Sequence, residues 1–148
     1  NSIVIRTSWV YSEFGNNFVK TMMRLMKERS SLSVVNDELG SPTYALDLAA
    51  LLLSVVSQCH TGVKKWMPGI FHYSNAGVIS WYDFAVAIKK LTGSACVLHP
   101  VASSMFPTKK KRPAYSVMDK EKIKTVYQVA IPDWQESLST CIAHLQEV

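Results

Sequence analysis

Apolar residues fall in short blocks along the chain, and the period changes from block to block. Residues 2–6 carry Ile3, Val4 and Ile5 without a break. Such a run predicts a strand covered on both faces of a parallel sheet. Residues 7–12 fit neither a core strand nor a solvent loop: Thr7, Ser8, Tyr11 and Ser12 bring hydroxyls, and Trp9 brings an indole. Residues 13–17 read as a turn, in which Asn16 or Asn17 can cap a helix. Phe18, Met22, Leu25 and Met26 then recur at helical spacing, with Lys20, Arg24 and Lys27 on the wetter side. That helix should stop near residues 29–31.

Beyond it, residues 32–35 predict a short strand, and residues 36–43 a turn holding Gly40 and Pro42. Asp47 is placed to cap residues 48–59, a helix so apolar that it should be covered on most sides. A loop over 60–69 leads to a strand at 70–74. After a turn at 75–79, Ser80 followed by Asp83 forms a capping-box pattern. Phe84, Ile88 and Leu91 then line one helix face, and Gly93 ends it. Residues 97–101 predict a strand, and 105–115 a basic loop flanked by prolines. Asp119 caps a short helix over 120–126. Asp133 and Glu136 make a second box-like cap for a terminal helix packed by Trp134, Leu138, Cys141, Ile142 and Leu145. Strands and helices interleave throughout, so the class is α/β. The first strand reads as central yet has no predicted edge partner before it, and a parallel neighbour needs a crossover of its own.

Composition narrows this little. With 148 residues and 48% apolar content, the chain can bury a core and does not read as disordered. Sixteen basic against 11 acidic residues leave a formal charge of +5, a weak pointer to an anionic partner. Cys59, Cys96 and Cys141 form no CxxC unit and no disulfide framework. Reduced thiols make the cytoplasm the simplest compartment. No segment resembles a signal peptide, and the longest apolar run, 48–56, is too short to span a bilayer. A chain that opens on Asn1 and enters a strand at once reads as a piece of a longer one.

The candidate chemistry is that of a ligand site. Thr7, Ser8 and Tyr11 lie at the carboxyl end of a strand, where open α/β sheets hold ligands. Trp9 offers a flat apolar surface with one donor. Asn16 and Asn17 stand at a helix N-terminus suited to phosphate. The alternative is that all of these cap, turn and fill the core. Lys109, Lys110, Lys111 and Arg112 form the strongest charge run, either a solvated loop or an anion clamp. Arg112 is the best clamp residue, since guanidinium grips phosphate bidentately. One such cluster without a broad basic face does not make a nucleic-acid module. His60, His72, His99 and His144 show no metal-ligand spacing.

Four blocks, taken in order, resemble a known family: IVIRTSWVYSEFGNNFVKTMMRLMKE, VVNDELGSPTYALDLA, FHYSNAGVISWYDFA and FPTKKKRPAYSVMDKEKI. They look like the C-terminal part of the dTDP-4-dehydrorhamnose reductases, which are extended short-chain dehydrogenases. The resemblance implies the late part of a Rossmann-like parallel sheet plus a small mixed α/β substrate-binding subdomain over residues 1–148. The dinucleotide-binding portion would lie upstream. It implies reduction of the C4 ketone of dTDP-4-dehydro-L-rhamnose by NADPH or NADH, giving dTDP-L-rhamnose. The family's catalytic YxxxK pair and glycine-rich loop both precede the RTSWVY strand, so no catalytic residue is assigned and this chain alone should be inactive. By motif match, Thr7 and Ser8 look like cofactor contacts beside the nicotinamide. Trp9, Asn17, Pro42, Thr43, Arg112 and Ser116 look like substrate contacts, with Pro42 and Thr43 in a GxPT turn and Arg112 and Ser116 in an RPxxS element. Tyr73, Asn75 and Trp81 look structural. Some family members dimerise through this region, at times with bridging magnesium, but no acidic cluster here assigns such a metal site. Partners would be the dTDP-sugar, the upstream portion and a second copy; nucleic acid and membrane are not expected. The alternatives are a regulatory subunit of methionine adenosyltransferase and a related nucleotide-sugar reductase or epimerase.

Overall fold

A computed structural model describes residues 1–106 and 113–147. Its strands are β1 (Ile3–Arg6), β2 (Val10–Tyr11), β3 (Ser31–Val35), β4 (Leu39–Gly40), β5 (Thr43–Tyr44), β6 (Gly69–His72), β7 (Ile79–Ser80) and β8 (Val97–Val101). Its helices are α1 (Phe18–Glu28), α2 (Ala45–His60), α3 (Trp81–Thr92), α4 (Glu121–Tyr127) and α5 (Trp134–Glu147). Three strand pairs are parallel: β1 with β6, β2 with β5, and β3 with β8; β4 and β7 run antiparallel. In β1–β6, Ile3 lies opposite Gly69 and Arg6 opposite His72. The fold is mixed α/β, with helices forming the crossovers that parallel pairs require.

The helix boundaries follow from local chemistry. Asn17 is the N-cap of α1, its Oδ1 accepting from the Lys20 N–H at 3.2 Å. At α3 the capping box closes reciprocally: Ser80 Oγ accepts from the Asp83 N–H (3.0 Å), and Asp83 Oδ2 from the Ser80 N–H (2.9 Å). Gly93 ends α3 at φ +65°, a left-handed geometry that glycine adopts without strain. Asp119 Oδ1 accepts from the Glu121 N–H at 2.8 Å, at the entrance to α4. Asp133 accepts from the Gln135 N–H at 2.8 Å, a local turn where the sequence suggested a box with Glu136.

Two further expectations are corrected. Asp47 does not cap α2. The helix starts at Ala45, directly from β5, with Tyr44 as an N-cap that makes no side-chain bond. Asp47 Oδ2 instead accepts from Asn75 Nδ2 and Ser137 Oγ, both at 2.6 Å. Burial also differs from the pattern. Side chains on a strand alternate between faces, and only the Ile3 and Ile5 side of β1 packs on core, while Val4 is exposed. On α2, Leu51 and Val55 are buried, but Leu46, Leu52, Leu53 and Val56 are exposed. The described residues cover one side of these elements and leave the other open.

The core has two parts. The larger joins α1, α3, α5 and β3 around Val19, Met22, Phe84, Ile88, Leu138 and Cys141. The smaller lies between α2, β6 and α4, around Leu51, Val55, Phe71, Tyr73, Ile123 and Tyr127. All three cysteines are free; Cys96 and Cys141 are buried and Cys59 is half-buried. Among the described residues no helix is long and apolar enough to cross a membrane.

Candidate functional site

The segment leaving β1 is laced to the chain before α2. Thr7 Oγ1 donates to Thr43 Oγ1 (2.8 Å), and Thr43 Oγ1 donates to the Ser8 carbonyl (2.6 Å). Ser8 Oγ donates to the Ser41 carbonyl (2.9 Å), and the Thr43 N–H to the Trp9 carbonyl (3.1 Å). Ser41 and Thr43 are fully buried, so the partners on this side of the lacing are shielded, while Thr7 is exposed. Pro42 is buried between them, and its carbonyl accepts from the Asn75 N–H at 2.9 Å. The lacing fixes the backbone from which Trp9 projects.

Trp9 adopts φ +48°, a left-handed conformation that a bulky residue rarely takes. Its indole stacks on Trp81 at 3.6 Å between centroids and 12° between planes. Trp81 in turn meets Phe18 at 4.7 Å, and Phe18 lies parallel to the buried Phe84 at 5.6 Å. On Gly40, an added Cβ would stand 2.5 Å from Cε2 of Trp9 and 2.7 Å from Oγ of Ser116. Ser116 closes the same corner, with both its N–H (2.8 Å) and its Oγ (3.0 Å) donating to the Leu39 carbonyl.

These groups wall a cleft of about 790 Å³, lined among others by Trp9, Phe18, Trp81, Val35, Glu38 and Ser116. Its size and makeup, aromatic walls with a few polar groups, suit an organic ligand with a flat or apolar part. Trp9 and Ser116, singled out in the sequence, line it. Thr7, Ser8, Pro42 and Thr43 form the lacing at the strand end beside Trp9. Asn17 sits next to the lining residue Phe18, but its side chain is engaged: Oδ1 caps α1, and Nδ2 donates to the Ser12 carbonyl at 2.7 Å. Arg112, with Lys109, Lys110 and Lys111, lies outside the described residues.

Two residues read differently from the sequence. Tyr11 does not offer a hydroxyl to a ligand. It is 1% exposed, packed on Tyr44 and Phe84. Burial, with smaller contributions from Cys141 and Asp47, pushes its phenol far above the ordinary value of 10.0. Trp81, read as structural, is a cleft wall. The signal was available: Trp81 is the first residue of α3, and helical side chains point back toward the N-terminus, here toward the cleft.

A second polar group ties the turn before α1 to the start of α2 and to α5. Glu13 accepts from the Tyr44 hydroxyl and from His144 Nδ1 (2.9 Å). Partial burial works to raise the Glu13 carboxyl, but hydrogen bonds from Tyr44, its own backbone and His144 hold it below 4.5. Burial, then Glu13, pushes the Tyr44 phenol well above 10.0. Among the described residues no cluster of three His, Cys, Asp or Glu is arranged to hold a metal ion.

The whole described chain matches one family model, the RmlD substrate binding domain, over residues 1–147. The chain belongs to this family. A dTDP-4-dehydrorhamnose reductase of Aggregatibacter actinomycetemcomitans is 38% identical over 98% of this chain and 51% of its own length. The crystal structure of a dTDP-4-dehydrorhamnose reductase ortholog from Clostridium acetobutylicum superposes with a TM-score of 0.85 at 40% identity, covering 97% of this chain and 49% of that one. The reductase of Bacillus anthracis, solved in complex with NADP, gives a TM-score of 0.84 at 35% identity, with 96% and 48% covered. The chain thus spans about half the length of the relatives it matches. The Trp9–Trp81 cleft is lined in large part by residues of the blocks that carry the resemblance.

Proposed function

We propose that this chain is the sugar-nucleotide-binding half of a reductase acting on the C4 ketone of dTDP-4-dehydro-L-rhamnose, with dTDP-L-rhamnose as product. The observation that carries this is the aromatic cleft at the carboxyl end of β1, in a chain whose family is the RmlD substrate-binding domain. Open α/β sheets hold ligands at that end.

Each residue has a stated part. The Trp9 indole forms a flat wall against which the deoxysugar ring lies. Ser116, held by Leu39, and the Pro42–Thr43 turn shape the edge of the sugar site. Asn17 sets the start of α1 at the nucleotide side, and Arg112 grips the diphosphate. NADPH or NADH would supply hydride. Thr7 and Ser8 fit an edge for the nicotinamide. Their donors are already used within the lacing, so they contribute acceptor oxygens and a rigid surface. The chain has no Tyr followed four residues later by Lys, and no glycine-rich dinucleotide loop. The proton for the developing alkoxide and the main dinucleotide contacts therefore belong to an upstream half. The exposed apolar side of α2 and β1 is the surface on which that half packs. Nicotinamide chemistry and three free thiols fit the cytoplasm.

The test is binding and turnover in the full-length protein carrying this chain. NADPH should be consumed when dTDP-4-dehydro-L-rhamnose is offered, and dTDP-L-rhamnose should bind. Arg112→Ala is expected to weaken that binding by about 1.5–3 kcal/mol, the worth of a charged hydrogen bond. Equal dissociation constants for the variant and the parent remove the clamp. No NADPH consumption with this ketosugar removes the reaction.

A further inference from the structure

The lacing holds the Trp9 backbone in a conformation that a bulky residue does not favour. A left-handed conformation disfavours a bulky side chain by roughly 1–2 kcal/mol, and Trp9 holds one at φ +48°. Something outside the residue must keep the indole where it is. Two neighbours do so from different elements. Trp81 stacks on it at 3.6 Å, nearly parallel. Gly40, by lacking a side chain, leaves the space the indole fills. No left-handed φ requires glycine at position 40, so close approach of Trp9, with Ser116 Oγ beside it, is what the position accommodates. Trp81 is itself fixed. It is the first residue of a helix closed by the Ser80–Asp83 box, and Phe18 links it to Phe84 in the larger core.

We propose that Trp81 is a positioning residue that, with Gly40, holds the Trp9 indole as a preset wall of the cleft, so that a nucleotide-linked deoxysugar meets a rigid surface. The proposal rests on the reading of Trp9 as the sugar-facing wall. Its physical content is preorganisation: a flat group already in place binds without first being ordered. Trp81 acts through Trp9, so losing Trp81 and displacing Trp9 from Gly40 should give the same signature by independent routes.

The experiment uses the full-length protein with 15N-labelled tryptophan. The Trp9 Nε1–H signal is assigned by its loss in Trp9→Phe, and dTDP-L-rhamnose binding is measured by calorimetry with NADP+ present. In Trp81→Ala the Trp9 signal should shift away from its ring-stacked position and its relaxation should report added fast motion. Binding should weaken about tenfold. Trp81→Phe keeps a flat partner and should restore both to near the parent values. Gly40→Ala should shift the Trp9 signal and weaken binding while Trp81 is intact. It keeps the idea testable if Trp81→Ala does not fold, which a thermal melt shows. A Trp9 signal unchanged in both Trp81→Ala and Gly40→Ala overturns the proposal. So does a freed indole with unchanged binding in both, when Trp9→Ala does weaken binding. If Trp9→Ala itself binds like the parent, the sugar-wall reading falls and takes the positioning role with it, whatever the indole signal shows.

Discussion

The two parts of the core differ in how completely this chain encloses them. Around Phe84, helices α1, α3 and α5 and strand β3 close on one another, and Phe84, Ile88 and Leu138 have no exposed surface. Around Phe71, α2 and α4 close one side of β6, but Ile70, Val4, Leu46, Leu52, Leu53 and Val56 face outward. In sequence, α2 of the open part is the most apolar of these helices, yet it is the less enclosed. The closed part carries the cleft, and its rigidity reaches Trp9 through Phe18 and Trp81. The open part leaves several large apolar side chains exposed on α2, β1 and β6. An apolar run therefore says that a residue will be buried by something, and not by what.

The largest effect should separate these parts. Phe84→Ala is expected to destabilise the chain by about 3–5 kcal/mol, as deleting a fully buried aromatic leaves a cavity. Leu53→Ala, 71% exposed on α2, should change stability by less than about 0.5 kcal/mol. Urea melts with a common slope measure both. Comparable losses for the two variants would mean that the open face is covered in solution, by a second copy or by another part of the protein. Repeating Leu53→Ala in the full-length protein sharpens this: the loss should grow there if an upstream half packs on α2.

A smaller effect tests the joint between the two parts. Asn75 is fully buried, and its Oδ1 accepts from the Tyr44 N–H at 2.8 Å. Its Nδ2 donates to Asp47 Oδ2 (2.6 Å) on α2 and to Ser137 Oγ (2.8 Å) on α5. Its carbonyl accepts from Lys120 Nζ at 2.9 Å, and burial, then Lys124, lowers that lysine's pKa. Asn75→Ala strands the Tyr44 N–H and should cost about 1–3 kcal/mol. A double-mutant cycle with Ser137→Ala should be non-additive, because the two side chains share Asp47. Additive losses would show that the parts are joined by apolar packing alone.

Much of the architecture was legible from the chain itself. The capping pattern at Ser80 and Asp83, the Asn17 cap and the Gly93 stop rest on interactions within a few residues, and a local pattern carries them. The two-residue strands β2, β4, β5 and β7 were not legible, since two residues hold no period and their pairing is set by distant partners. Asp47 looked like a cap because the sequence shows a carboxylate before an apolar run. It cannot show that β5 runs directly into the helix, or that Asn75 waits 28 residues away. Trp9 could be read as a ligand wall from its place after a strand. That Trp81 holds it is a contact across 72 residues, visible only once α3 is docked.

The smallest effect concerns acid stability and belongs to the closed part. Glu13, on the turn before α1, is tied to Tyr44 and to His144 on α5, 131 residues away. The Glu13 side chain is 18% exposed and that of His144 is 45% exposed, so screening leaves the ion pair itself worth little. The hydrogen bonds to the carboxylate carry most of the contribution, about 1 kcal/mol. Its folded pKa is lowered, so the stabilisation is present above the ordinary value of 4.5 and is lost as pH falls through the folded value. Tyr44 and Tyr11 have the opposite sense. Their folded pKa values are raised, so that contribution is whole below 10.0 and is lost as pH rises beyond it. Glu13→Gln should therefore lower the melting temperature at pH 7 and flatten its fall below pH 4.5, while leaving the alkaline fall in place. His144→Ala should lower the melting temperature by less, since Tyr44 still donates to Glu13. If Glu13→Gln melts with the parent's full acid dependence, the acid sensitivity comes from other carboxylates. The tie would then add nothing to how the closed part holds α5 against the turn before α1.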